Sequence, residues 1–194
     1  YVKDPIVGLH KWVMSFDLNS LYPHLIMQYN ISPETLVANE KVKNMSVEKL
    51  LNKEVDTSIL KDATMTPNGA LFKTTQKGFL PELMQKMYDD RVKFKQLMIE
   101  AQKDYEKTKD PKLQKTIAKF NNIQMAKKIS LNSAYGAIGN VWFRYYNLLV
   151  AEAITTSGQL AIRYIEHALN EYLNKILNTR GEDYIIASDT DSVY

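Results

Sequence analysis

Cysteine is absent from the 194 residues, so neither a disulfide framework nor a thiolate zinc site is open to this chain. No apolar run is long enough to span a bilayer and no signal-like segment opens the sequence, so no membrane partner is expected. Glycine and proline are sparse, at 7 and 6, and neither repeats nor low-complexity tracts occur. Only three histidines are present; His10 and His167 sit in no motif and read as structural. A net charge of +3 is too small to argue nucleic-acid binding by itself.

What is present is unevenly spread. Residues 77–128 carry thirteen Lys/Arg against seven Asp/Glu, an excess larger than that of the whole chain. Such a segment is either a solvated helical surface or a grip for an anion. The ends look cut: the chain starts at Tyr1 without Met and stops at Tyr194 inside an expected strand, so a piece of a longer protein is expected.

Taken in order, Lys11–Asp17 reads as a strand that delivers Asp17 at its end. Asn19 and Ser20 then offer cap side chains to a helix with Leu21, Leu25, Ile26 and Tyr29 at helical spacing and Pro23 in its first turn. A strand, a carboxylate, a tight turn and a helix start present acidic oxygens and free backbone N–H groups to one pocket; Asp or Ser here also serves as an ordinary cap. Residues 37–66, with Val47, Leu50, Leu51, Ile59 and Leu60, suggest one short helix plus loops. Asn68-Gly69 is a turn, and Ala70–Thr74 a strand.

From Leu80 a helical pattern runs to about Lys107, breaks at Thr108–Pro111, and resumes from Pro111 to Gly136 and Gly139. Two long helices joined by a short polar loop make an antiparallel hairpin. Arg91 and Lys95 share a face of the first. On the second, Gln124, Lys128, Asn132 and Tyr135 form a polar stripe on an otherwise apolar helix; a buried Lys or Asn there would need partners, which an anionic ligand provides. Val141–Tyr146 reads as an aromatic strand or turn. A last helix spans about Val150–Leu177, with apolar positions from Ile154 to Ile176 and a Gly158 that suggests close packing on a sheet.

The chain closes on Asp183–Tyr194, a β-hairpin with Asp189-Thr190-Asp191 at its tip. Asp and Ser at such a tip also serve as plain turn formers. Carboxylates at i and i+2 fall on one side of an extended chain unless the turn re-aims one of them, and such a pair calls for a hard divalent cation. Sheet-borne carboxylates with a helical Lys/Arg grip are what two-metal phosphoryl or nucleotidyl transfer needs.

These residues carry a family resemblance. Asp17-Leu18-Asn19-Ser20-Leu21-Tyr22-Pro23, Lys128–Gly136 and Asp189-Thr190-Asp191-Ser192 resemble, in order and spacing, the three motifs of family B DNA polymerases. The flanks Asn30–Thr35 and Gly139–Tyr146 resemble the replicative polymerases of T-even-like tailed bacteriophages. The resemblance implies an α+β fold: a palm whose antiparallel sheet packs on helices, in residues 1–77 (with a variable insertion at about 37–66) and 141–194, and an inserted helical-hairpin fingers subdomain at 78–140. It implies a DNA-directed DNA polymerase core, with two Mg²⁺ ions (Mn²⁺ could substitute) bridged by Asp17 and Asp191, the Leu18 carbonyl as a further ligand, and Asp189 in support. Backbone N–H groups of Ser20, Leu21 and Tyr22 would hold the phosphates, and Tyr22 would exclude a 2′-hydroxyl. Arg91, Lys95, Lys128 and Asn132 would grip the triphosphate, and Tyr135 and Gly136 would line the nascent base pair.

Primer-template DNA and dNTPs are the implied partners, with a sliding clamp contacted by other parts of the parent, in the cytoplasm of an infected bacterial host. A proofreading exonuclease before residue 1 and a thumb after residue 194 are implied too, so the isolated piece should extend primers weakly or not at all. The sequence departs from the family at Ala187, at Ser188, which is expected to crowd the turn or primer terminus, and at His24. A non-catalytic nucleic-acid-binding module keeping the fold is the alternative; two buried carboxylates without metal speak against it.

Overall fold

The computed structural model describes residues 1–37, 41–56, 58 and 60–194. A four-stranded antiparallel sheet has the order β1-β5-β6-β2, built from Val2–Lys3, Ser188–Asp189, Ser192–Val193 and Phe16–Asp17. β3 (Ala63–Met65) and β4 (Leu71–Lys73) form a second, two-stranded sheet. The helices are α1 (Leu21–Tyr29), α2 (Val47–Leu51), α3 (Phe79–Thr108), α4 (Pro111–Ile138) and α5 (Leu148–Leu177). This is the mixed α+β architecture expected.

The α3–α4 hairpin forms for the reasons its sequence states. Lys109 adopts a left-handed φ of 55°, Asp110 accepts a hydrogen bond from the Lys112 N–H at 2.9 Å, and Pro111 opens α4 where a missing N–H costs nothing. The base of the hairpin enters the main core, where Leu80, Met84, Leu131 and Ile138 pack with Ile26 of α1, Phe72 of β4, and Val150 and Ile154 of α5. Further out the hairpin has little but itself: Phe94 meets Phe120 at 6.0 Å between ring centroids, and Lys127 pairs with Asp90 at 2.8 Å. A second apolar cluster, Ile162, Ile185 and Val193 with Leu18, Ile165 and Leu169, seats the four-stranded sheet on α5.

Several expectations are corrected. Only Phe16–Asp17 of Lys11–Asp17 is strand, with Phe16 opposite Val193 of β6, and Trp12 lies off the extended conformation at φ 61°. The stretch 37–66 does hold its one short helix, capped by Ser46, but Ala63–Met65 is strand, zipped to β4 across the Asn68-Gly69 turn. Ile59 lies outside the described residues. α4 runs through Gly136 and ends at Gly139. Of the two readings of Val141–Tyr146, the turn is the one found, with Phe143 N–H bonded to the Asn140 carbonyl and Tyr146 N–H to that of Phe143. Ile176 is exposed. Gly158 packs not on a sheet but on Tyr22 of α1.

Candidate active site

Positions 17 and 191, far apart in sequence, are neighbours because of strand register. β2 pairs antiparallel with β6, which sets Asp17 opposite Ser192, and the Leu18 N–H donates to the Asp191 carbonyl at 2.7 Å. The two carboxylates open into one cavity of about 670 Å³. Asp191 is half-buried and its pKa is raised, by burial first and then by the charge of Asp17, with Asp189 adding to it. Asp17 itself is exposed, so the argument from two buried carboxylates does not hold as stated; the cost falls on Asp191, through its own burial and then the nearby charge of Asp17. Thr190, with φ 49°, re-aims the chain between the acidic residues: Asp191 and Thr190 line the cavity, whereas Asp189 is exposed outside it and accepts a hydrogen bond from the Thr190 hydroxyl at 2.9 Å.

α1 supplies the floor. Asn19, Ser20, Leu21, Tyr22 and Pro23 all line the cavity. The expected side-chain cap is absent, because Ser20 sits at the cap position in the left-handed region (φ 55°) and its hydroxyl is used elsewhere. It donates to Asn19 Oδ1 at 3.2 Å and accepts from Arg91 Nη1 at 3.0 Å. The amide N–H groups of Ser20, Leu21 and Tyr22 have no protein acceptor among the described residues, and Pro23 has none to satisfy. His24 Nδ1 donates to the Ser20 carbonyl at 2.9 Å and its ring meets Tyr88 edge-on at 4.6 Å, which braces the same turn. Tyr22 lies 4.8 Å from Tyr135 between ring centroids, and its pKa is raised by burial, then by Tyr135 and Asp191.

The hairpin supplies the opposite wall: Arg91 and Lys95 from α3, and Lys128, Asn132 and Tyr135 from α4. The stripe is therefore real in three of its four members, but Lys128 and Asn132 are exposed to the cavity rather than buried in protein. Gln124 is the buried one, bonded to Asn121 Oδ1 at 2.9 Å and away from the cavity. Gly136 and Leu18 do not line it either. Arg91 carries a buried Nε with no hydrogen-bond acceptor among the described residues. A buried guanidinium donor left open beside a cavity that holds two lysines and a helix start asks for an anion.

Asn19, Pro23 and Thr190 are cavity residues that motif reasoning left unassigned; each is adjacent to one it named. Ser188 stays out of the cavity. Its side chain is buried and donates to Glu166 of α5, which also accepts from the Tyr1 hydroxyl at 3.2 Å, so it points under the sheet and crowds nothing in the cavity. Glu166→Ala should accordingly lower stability by about 2–3 kcal/mol, by leaving the buried Ser188 hydroxyl unpaired beneath the acidic turn. Urea unfolding measures this, and an unchanged midpoint would refute it. His10 bonds the Ile6 carbonyl at 2.7 Å and His167 is exposed; neither is at the cavity.

The donor set fits a hard divalent cation: carboxylate oxygens of Asp17 and Asp191 with no nitrogen or sulfur ligand among the cavity residues. Among the described residues no group of three or more His, Cys, Asp or Glu side chains converges, so backbone and ligand oxygens would complete the shell.

Comparison with known proteins gives a consistent result. The sequence model of DNA polymerase family B matches residues 1–194. The chain is 35% identical to the DNA-directed DNA polymerase of Escherichia phage RB69 and 34% identical to that of Enterobacteria phage T4; each alignment covers all of this chain and 26% of the relative. It is 32% identical to a DNA polymerase of Pyrococcus glycovorans, again over all of this chain and 20% of that protein. The chain thus spans about a quarter of the length of the phage relatives. The RB69 alignment runs over 237 positions for 194 residues, in keeping with a shorter chain here.

Proposed function

Since the chain belongs to DNA polymerase family B, we propose that it carries the centre at which a DNA-directed DNA polymerase adds deoxynucleotides to a primer. The observation that carries this reading is the single cavity shared by Asp17 at the end of β2, Asp191 in the β5–β6 turn, and Arg91, Lys95 and Lys128 on the facing hairpin. In the reaction the primer 3′-oxygen bonds to the α-phosphorus of the dNTP and loses its proton, while the bond to the pyrophosphate oxygen breaks. Asp17 and Asp191, with the Leu18 carbonyl, would hold two Mg²⁺ ions, for which Mn²⁺ can substitute, and these supply Lewis-acid stabilisation of the attacking and leaving oxygens.

The protein's own groups do the rest. The N–H groups of Ser20, Leu21 and Tyr22 hold the β- and γ-phosphates at the start of α1. Arg91, Lys95 and Lys128 neutralise the triphosphate, Asn132 orients it, and Tyr135 with Gly136 meets the nascent base pair. Tyr22 lies under the sugar and excludes a 2′-hydroxyl. Asp189 acts on Asp191 through its charge, as a supporting residue. Residues 78–140 are fingers that close on a palm made of 1–77, with the variable insertion at about 37–66, and 141–194; the thin apolar seam of the outer hairpin suits a moving part.

The partners are primer-template DNA and dNTPs, with a sliding clamp reached through other parts of a longer protein, in the cytoplasm of an infected bacterium. The test is Mg²⁺-dependent, template-directed incorporation, compared for dNTP and rNTP, by the polymerase containing these residues. DNA binding without incorporation would make it the binding module instead.

A further inference from the structure

We propose that Gly158 of α5 is a positioning residue for sugar selection: the absence of a side chain there sets how deep the Tyr22 ring sits, and so how much room the cavity leaves for a nucleotide sugar. The inference rests on the polymerase reading above. A glycine inside a 30-residue helix is costly, by about 1 kcal/mol against alanine, so its place needs a reason. Gly158 is buried, and a Cβ added there would stand 2.9 Å from Tyr22 Cε1 and 3.7 Å from Tyr22 Cδ1 and Leu21 Cδ2. Ordinary carbon contacts begin at about 3.5 Å, so the ring would have to move.

The glycines at the end of α4 are not so placed, and the close contacts of Gly69 and Gly78 lie away from Tyr22. A Cβ at Gly136 meets nothing within 4 Å, and at Gly139 its nearest neighbour is 3.8 Å away. Tyr22 touches the backbone of α5 along one edge because residue 158 lacks a side chain. Its other flank is closed by Tyr135, 4.8 Å away between centroids. With α5 behind and Tyr135 beside, the open direction is the cavity that Tyr22 lines and Gly158 does not. A side chain at 158 therefore lifts the ring toward the sugar rather than letting it retreat.

In the polymerase containing these residues, Gly158→Ala should raise KM for dNTP about tenfold while kcat stays within about threefold. It should also lower kcat/KM for rNTP further than for dNTP, because the lifted ring takes space first on the 2′ side. Tyr22→Ala should relax discrimination, and adding Gly158→Ala to it should change KM by less than about twofold, since no ring remains to lift. Should Gly158→Ala alone fail to fold, the double variant must fold and melt no lower than Tyr22→Ala, because alanine is the better helix residue; a double variant that also fails overturns the inference. Relaxed selection in Tyr22→Ala with wild-type KM and selectivity in Gly158→Ala overturns the inference and leaves the polymerase reading standing. Unrelaxed selection in Tyr22→Ala overturns both the sugar role of that ring and the inference. A wild-type polymerase without template-directed incorporation removes the reading beneath it.

Discussion

Without divalent cation, Asp191→Asn is expected to melt a few degrees above the wild type, and yet with Mg²⁺ present to lose more than about 10³-fold in incorporation. Groups that merely support a metal ligand cost about 10–100-fold when changed, and a shared ligand should cost more. The stability gain follows from the sign of the shift. Burial, then the charge of Asp17, raises the pKa of Asp191 in the fold, so the ionised carboxylate is disfavoured there relative to the unfolded chain. That penalty is fully present above the raised folded value and fades as pH falls through it toward the value of the unfolded chain. The variant removes the charge at every pH, so the gap in melting temperature should be seen at neutral pH and close in acid. Mg²⁺ should reverse the order: bound to the folded wild type it should raise the melting temperature by mass action, and it should do little for the variant. Thermal unfolding with chelator and with Mg²⁺, at neutral and acid pH, tests each arm. A variant that melts below wild type in chelator, or that responds equally to Mg²⁺, would refute the coupled-carboxylate account. Asp189→Asn should lose less activity, because that carboxylate lies outside the cavity.

The parts of this molecule that were legible in its sequence are those specified by neighbours in the chain. The helical hairpin is written in apolar periodicity and in Lys109-Asp110-Pro111, which needs only a left-handed residue, a cap and a proline to turn the chain. The cavity walls were legible because Arg91 and Lys95, or Lys128, Asn132 and Tyr135, are spaced to share a helix face.

What failed depends on distant partners. β1 and β3 are two and three residues long and exist only through β5 and β4. Ser188 is buried against Glu166, 22 residues away, a fact no turn rule contains. Spacing alone left open whether Asp189 and Asp191 share a face or the turn re-aims one of them, and the left-handed Thr190 decides for the second. Gly158 looked like a packing glycine and was one, yet its neighbour is the ring of Tyr22, 136 positions earlier, rather than a sheet.

The cationic wall should show the same opposition between stability and function as the acidic pair. Arg91→Met is expected to weaken dNTP binding about 100-fold while changing unfolding free energy by no more than about 1 kcal/mol. Without ligand, and among the described residues, Arg91 makes one hydrogen bond, to the Ser20 hydroxyl at 3.0 Å, and leaves its buried Nε unpaired. Losing the bond costs about 1 kcal/mol and losing the orphan donor returns a similar amount, so a methionine of like length should be close to neutral for folding. With a triphosphate in place the balance differs, because a guanidinium with a free, buried donor gains a charge-assisted bond worth about 2–3 kcal/mol. Lys95 lies one helical turn away and is exposed, so Lys95→Met should weaken binding only severalfold. Titrating dNTP and pyrophosphate into both variants, beside urea unfolding, separates the two readouts. Equal losses for Arg91→Met and Lys95→Met would reduce the wall to a diffuse field of charge, and a large drop in stability for Arg91→Met would mean that the arginine serves the fold before the ligand.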